Sequence, residues 1–153
     1  MSKSAEQLIM VLTKEREIYE QALKIAKEKS EVIIKGEVSE LEKMTIKEQK
    51  MILDLGKLEK IREAVINNIA TELKLTGSEN ITEIAEGFGG AIKEKLLATK
   101  DELAVVLKSF KKENNLNNKL IKQSLEYIEF NKNLFTSLWD QGSTYGIGAD
   151  EKA

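Results

Sequence analysis

The chain contains no cysteine, no histidine and no proline. Without cysteine there is no disulfide, no thiolate nucleophile and no thiolate metal ligand. Without histidine the Glu-x-x-His ligand pairs of di-iron bundles cannot be built, nor can zinc fingers. The absence of proline across 153 residues has a structural meaning. Proline breaks helix interiors, so a chain that avoids it altogether favours long uninterrupted helices. Long hydrophobic runs are also missing. The N-terminal apolar run, LIMVL, spans five residues before charge resumes, too short for a signal-peptide core. No uncharged stretch approaches the length of a membrane span. A cytoplasmic chain without direct membrane insertion is therefore expected.

What is present is charge: 33% charged residues against 41% hydrophobic, with a net charge of −2. That composition suits an all-α, coiled-coil-like protein. A net negative chain whose lysines alternate with glutamates argues for solvated helix faces and against a nucleic-acid partner.

Periodicity divides the chain into three long helices. The first spans about 4–34, with apolar pairs every seven residues: Val11-Leu12, Ile18-Tyr19, Ile25-Ala26 and Val32-Ile33. Gly36 is its stop, and Ser39 is the candidate N-cap of the next helix. The second spans about 38–75 before Gly77. Its seam alternates steps of three and four through Leu41, Met44, Glu48, Met51, Leu55, Leu58, Arg62, Val65 and Ile69. That alternation is the a/d pattern of a coiled coil. Glu48 and Arg62 interrupt the seam, and pair either with each other or with polar groups on a facing helix. A connector carries a capping-box pattern at Asn80 and Glu83 and a short helical turn over 81–86. Gly87, Gly89 and Gly90 are read as a flexible joint. GFGG lacks the strand before it and the Lys-Ser/Thr after it that phosphate loops need. The third helix spans about 91–140, and 141–153 form a flexible tail. The predicted architecture is a single all-α domain over 1–140, an antiparallel up-down-up bundle of long coiled-coil-like helices. No catalytic, cofactor or metal constellation emerges.

The third helix raises a geometric problem. At 1.5 Å per residue its fifty or so residues reach about 75 Å, whereas the first helix reaches about 45 Å. It outruns the first helix after about residue 120 and the second near residue 128. Either it breaks and folds back, or another molecule covers its end. That end carries two apolar stripes. Leu116, Leu120, Tyr127, Leu134 and Leu138 form one. Ile121, Leu125, Ile128, Phe135 and Trp139 form the other, offset by about 100°. Phe130 lies outside both. One stripe suffices for an outer helix of a three-helix bundle. The second serves a broader core or homodimer seam, or a helical partner. The candidate partner-binding residues are Leu120, Ile121, Leu125, Ile128, Phe130, Leu134, Phe135, Leu138 and Trp139. Four asparagines, Asn114, Asn115, Asn117 and Asn118, precede this region. Asn114 and Asn117 fall on the apolar side and mark the expected boundary between a self-packed core and a lendable helix.

Two groups of residues carry a resemblance. One is Gly36-Glu37 followed by Leu41, Glu48, Leu55, Leu58-Glu59 and Arg62. The other is Asn114-x-x-Asn117-x-x-Leu120-Ile121-x-x-Ser124-Leu125-x-Tyr127-Ile128, followed by Thr144-Tyr145-Gly146. The chain resembles the FlgN family, flagellar type III export chaperones for hook-associated proteins. The resemblance implies a non-enzymatic cytoplasmic chaperone that binds the helical terminal segments of the junction proteins FlgK and FlgL. It implies substrate binding by the C-terminal part, and makes Tyr145 the candidate contact with the export-gate component FlhA. The longer basic tail of some members is missing. The alternative reading is a structural, self-associating coiled coil that buries the end of the third helix in its own dimer.

Overall fold

The structure, a computed structural model, describes residues 2–75 and 80–144, with side chains described through residue 126 and at Asn133. Four helices account for it: α1 (Lys3–Lys35), α2 (Val38–Glu72), α3 (Ile81–Phe88) and α4 (Gly90–Thr144). Cross-helix pairs fix their directions. Glu15 meets Arg62 while Lys29 meets Glu48, so α1 and α2 run antiparallel. Arg16 meets Glu102 while Ser30 meets Asn117, so α4 runs parallel to α1. The expected all-α, up-down-up order is the one observed. α1 packs against both long neighbours, and α3 packs on α4. The doublets of α1 follow from this position. A helix with a neighbour on each flank needs two adjacent apolar columns, and a seven-residue repeat of pairs supplies them.

The helix ends are set by local chemistry. Ser2 caps α1, its side-chain oxygen accepting from the Ala5 amide at 3.4 Å. At the other end Gly36 takes φ +69°. The Gly36 amide donates to the Ile33 carbonyl and the Glu37 amide to the Val32 carbonyl, the paired bonds of a Schellman motif. The turn is so tight that α2 starts at Val38. Its cap is Glu37, without a side-chain hydrogen bond, so Ser39 already lies inside the helix and is not the cap. The same motif closes α2, but around a lysine. Leu75 N–H donates to Ala70 at 2.8 Å and Lys74 N–H to Thr71 at 3.3 Å, with Lys74 at φ 55°. α2 therefore ends at Glu72, earlier than the expected 75. The turn lets Leu73 and Leu75 pack against the core. A left-handed conformation costs an L residue about 1–2 kcal/mol. Lys74→Gly is expected to stabilise the protein by about 1 kcal/mol, raising Tm by about 2–4 °C in thermal unfolding.

α3 is closed at its start by the expected box. The Glu83 amide donates to Asn80 Oδ1 at 2.9 Å, and the Asn80 side-chain amide reaches back to the Glu83 carboxylate. The helix continues to Phe88, past the expected 86. It therefore takes in Gly87, which is not part of the joint. A Cβ there would meet Leu73 Cδ1 at 2.9 Å, so glycine lets α3 lie close over the end of α2. The turn falls to Gly89 and Gly90, both at positive φ.

The core is concentrated at one end. Leu8 and Leu12 of α1, Val65 and Ile69 of α2, Ile84 and Ala85 of α3, and Leu96 and Leu103 of α4 form one buried cluster. Ile81 and Phe88 pack against it, as the connector's apolar spacing suggested. Towards the other end α1 buries Ala22, Ala26 and Ile33, mostly small side chains. Over the same length α2 contributes nothing fully buried before Val65. Ile46, Ile52 and Leu53 are exposed. The seam there is half-buried and partly ionic. Glu48 pairs with Lys29 at 2.9 Å and Arg62 with Glu15 at 2.5 Å, so both interruptions of the α2 seam face α1 and do not pair with each other.

Candidate functional site

Asn117 is 2% exposed and, among the described residues, is the one polar side chain of the largest fully buried group. Its amide donates to the Ala26 carbonyl at 2.7 Å, and its oxygen accepts from Ser30 Oγ at 2.7 Å. Both partners lie on α1. Because Asn117 is clasped from α1, the register of α4 is fixed late in the shared length. Asn114 is half-buried, whereas Asn115 and Asn118 are exposed.

The clasp also locates the end of the bundle. The 87-residue offset between Ser30 and Asn117 carries Lys35, the last residue of α1, to the level of Lys122. α4 continues unbroken to Thr144, so it does not fold back, and it passes the expected end at 140 by four residues. Residues 123–144 thus overhang α1 by about 33 Å at 1.5 Å per residue. Leu120 and Ile121 sit half-buried just before the overhang, and Leu125 begins it at 61% exposure. The backbone of Ile128, Phe130, Leu134, Phe135, Leu138 and Trp139 belongs to this helix, while their side chains lie outside the described set. Tyr145 lies outside the described residues.

Charge also changes character on α4. Elsewhere lysines are interspersed with acids, and some of them pair across or along helices. Over residues 103–125 there are five lysines and one acid, Glu113, a net of +4. The chain carries −2 in total, so the remainder carries −6. This concentration is readable in the sequence, but an average over the whole chain conceals it.

The groups with shifted acidity lie away from the overhang. Burial pushes the Glu15 carboxyl up, and the Arg62 guanidinium offsets part of that rise. Glu15 is 4% exposed, with Oε1 unpartnered. Burial, and then the Glu15 charge, raise the Tyr19 hydroxyl, whose ring packs on Phe110 with centroids 5.8 Å apart. These groups join α1 to its neighbours. Among the described residues no cluster of acids could hold a metal, and no helix is long and apolar enough to cross a membrane.

A helical bundle whose last helix runs on past its neighbour, with an apolar residue exposed at the root, defines a helix-presenting class of protein. The family comparison gives that class a particular content: the chain belongs to the FlgN family, whose model matches residues 1–152. This is a family of flagellar export chaperones, tied to flagellar assembly and protein export. The chain is also similar to the "Uncharacterized protein YvyG" of Bacillus subtilis (strain 168). The two are 29% identical over 125 residues, covering 82% of this chain and 76% of that one. No solved structure shows a significant match.

Proposed function

We propose that the protein is a cytoplasmic, non-enzymatic chaperone for the flagellar junction proteins FlgK and FlgL. It binds their helical terminal segments, keeps them from assembling early and hands them to the export gate at FlhA. The observation that carries this reading is the overhang: a continuous helix that leaves its own bundle while its sequence still carries two apolar stripes. Leu120, Ile121 and Leu125 provide the first contacts. Ile128, Phe130, Leu134, Phe135, Leu138 and Trp139 continue them along the same helix. An amphipathic segment laid on such a helix exchanges its exposed apolar face for a paired one. Ordering the incoming segment offsets part of that gain, which keeps the complex releasable. Tyr145, just past α4, is the candidate contact with FlhA.

Exposed Ile46, Ile52 and Leu53 on α2 favour a second reading, self-association of a structural coiled coil. Co-purification separates the two. The wild-type chain is expected to retain FlgK or FlgL terminal segments, and Leu125→Asp to lower that affinity about tenfold with an unchanged circular dichroism spectrum. A chain that retains neither segment and sediments as a tight dimer at nanomolar concentration is the self-associating protein instead.

A further inference from the structure

We infer that α4 carries an electrostatic docking row for an acidic-flanked amphipathic helix, formed by Lys108, Lys111, Lys112, Lys119 and Lys122. At 3.6 residues per turn these positions share an arc of about 100° on the side of α4 away from Leu103, Phe110 and Asn117. All five lysines are exposed. Among the described residues none of them enters an ion pair, as is true of most lysines on the other helices, so what sets the row apart is the scarcity of acids beside it. The one acid in the stretch, Glu113, is half-buried on the α1 side. The uncharged members of the same face are Asn115 and Asn118, which add hydrogen-bonding groups without cancelling charge.

The shape of the row selects its partner. It is about 21 Å long and one helix wide. Asp101 and Glu102 bound it at one end and Glu126 at the other. The rest of the chain, at −6, opposes approach to an anionic membrane, which favours a single rod-like partner over a lipid surface. Apolar residues flank the row. Leu116, 46% exposed, stands four residues after Lys112 and three before Lys119. Leu125, 61% exposed, stands three after Lys122. Residues at these spacings are neighbours on a helix surface. At 100° per residue Leu116 and Leu125 lie on opposite edges of the row, so a partner helix lying along the Leu116 edge would set its apolar stripe on that leucine and its acidic flank on the lysines. The row runs directly into the overhang, so one continuous partner can use both. Opposite charges then raise the encounter rate before the apolar contacts close.

This inference rests in part on the chaperone reading, and two probes separate them. Binding to the full chain is measured by fluorescence anisotropy at 50 and 300 mM salt. The probes are labelled FlgK and FlgL terminal segments, and two model helices with one leucine face and either glutamate or lysine flanks. The proteins are the wild type, the fivefold Lys→Glu variant and the fivefold Lys→Gln variant. The expected result is at least tenfold weaker binding of the junction segments and of the glutamate-flanked helix by the Lys→Glu variant. The Lys→Gln variant falls between, and the salt dependence flattens in both. Wild-type binding of the junction segments that moves less than threefold with salt and in both variants overturns the row and leaves the chaperone reading standing. Binding of the glutamate-flanked helix alone overturns the chaperone reading and sustains the row. Binding of no probe overturns both. Lysine-dependent sedimentation with phosphatidylserine vesicles, with no preference between the model helices, replaces the helical partner with a membrane.

Discussion

A chain ending at Lys122 is expected to keep its fold and lose its partner. The cut removes the overhang but leaves Asn117 clasped to Ala26 and Ser30, and every member of the core cluster lies before it. Thermal unfolding should therefore shift by no more than a few degrees. Affinity for the FlgK and FlgL terminal segments should fall at least a hundredfold, because the apolar anchors that dominate such interfaces are gone. A cut at Glu113 is a different experiment. It also removes Asn117 and with it the hydrogen bonds to Ser30 and the Ala26 carbonyl that tie α4 to α1. Each such bond contributes about 0.5–1.5 kcal/mol net, so this shorter chain should be visibly less stable. If the chain ending at Lys122 binds as tightly as the full chain, the overhang is not the binding element.

The largest expected effect on stability comes from Arg62→Ala. Glu15 is nearly inaccessible and Arg62 is its one ion-pair partner among the described residues. Removing the arginine leaves a buried carboxylate uncompensated, at a cost of about 2–3 kcal/mol near pH 7. The sign of the pH dependence follows from the direction of the shift. The folded-state Glu15 carboxyl is raised above its ordinary value by burial, so the native state binds the proton more tightly than the unfolded chain. That contribution is fully present below the ordinary carboxylate pKa and is lost as pH rises through the raised one. Without Arg62, which now holds the value down, the shift grows. The deficit of Arg62→Ala should accordingly be largest at neutral pH and shrink as pH falls towards 5. Adding Glu15→Gln should recover most of it. Denaturant midpoints for the two single variants and the double variant, at pH 7 and pH 5, measure the coupling. A deficit that does not change with pH, or no rescue by Glu15→Gln, would show that Arg62 acts through packing.

The sequence made the helices legible because their signals are local. Seven-residue doublets, Gly36 and the Asn80–Glu83 box each act within a turn or two. The end of α2 was not legible, because a lysine performs there the left-handed turn that composition assigns to glycine. The reward that holds Lys74 in place is the burial of Leu73 and Leu75, which is a tertiary effect. The pairings of Glu48 and Arg62 were open for the same reason: a seam shows which residues face inward, not which residue faces them. The length mismatch did expose the overhang, since it needs only rise per residue and element order. The role of Asn117 was half legible. Its polarity at a core position was visible, but Ser30 and the Ala26 carbonyl, about ninety positions away in the chain, were not.

The lopsided core has a further consequence. Large side chains knit α1, α2, α3 and α4 together at one end, while the opposite end is held by alanines, half-buried seam residues and a few polar clasps. Opening free energy must then decline along the long axis. Local opening is therefore expected to begin where α2 starts and the overhang is rooted, and to spare the cluster around Leu12, Ile69 and Leu96, a gradient that amide hydrogen exchange would read.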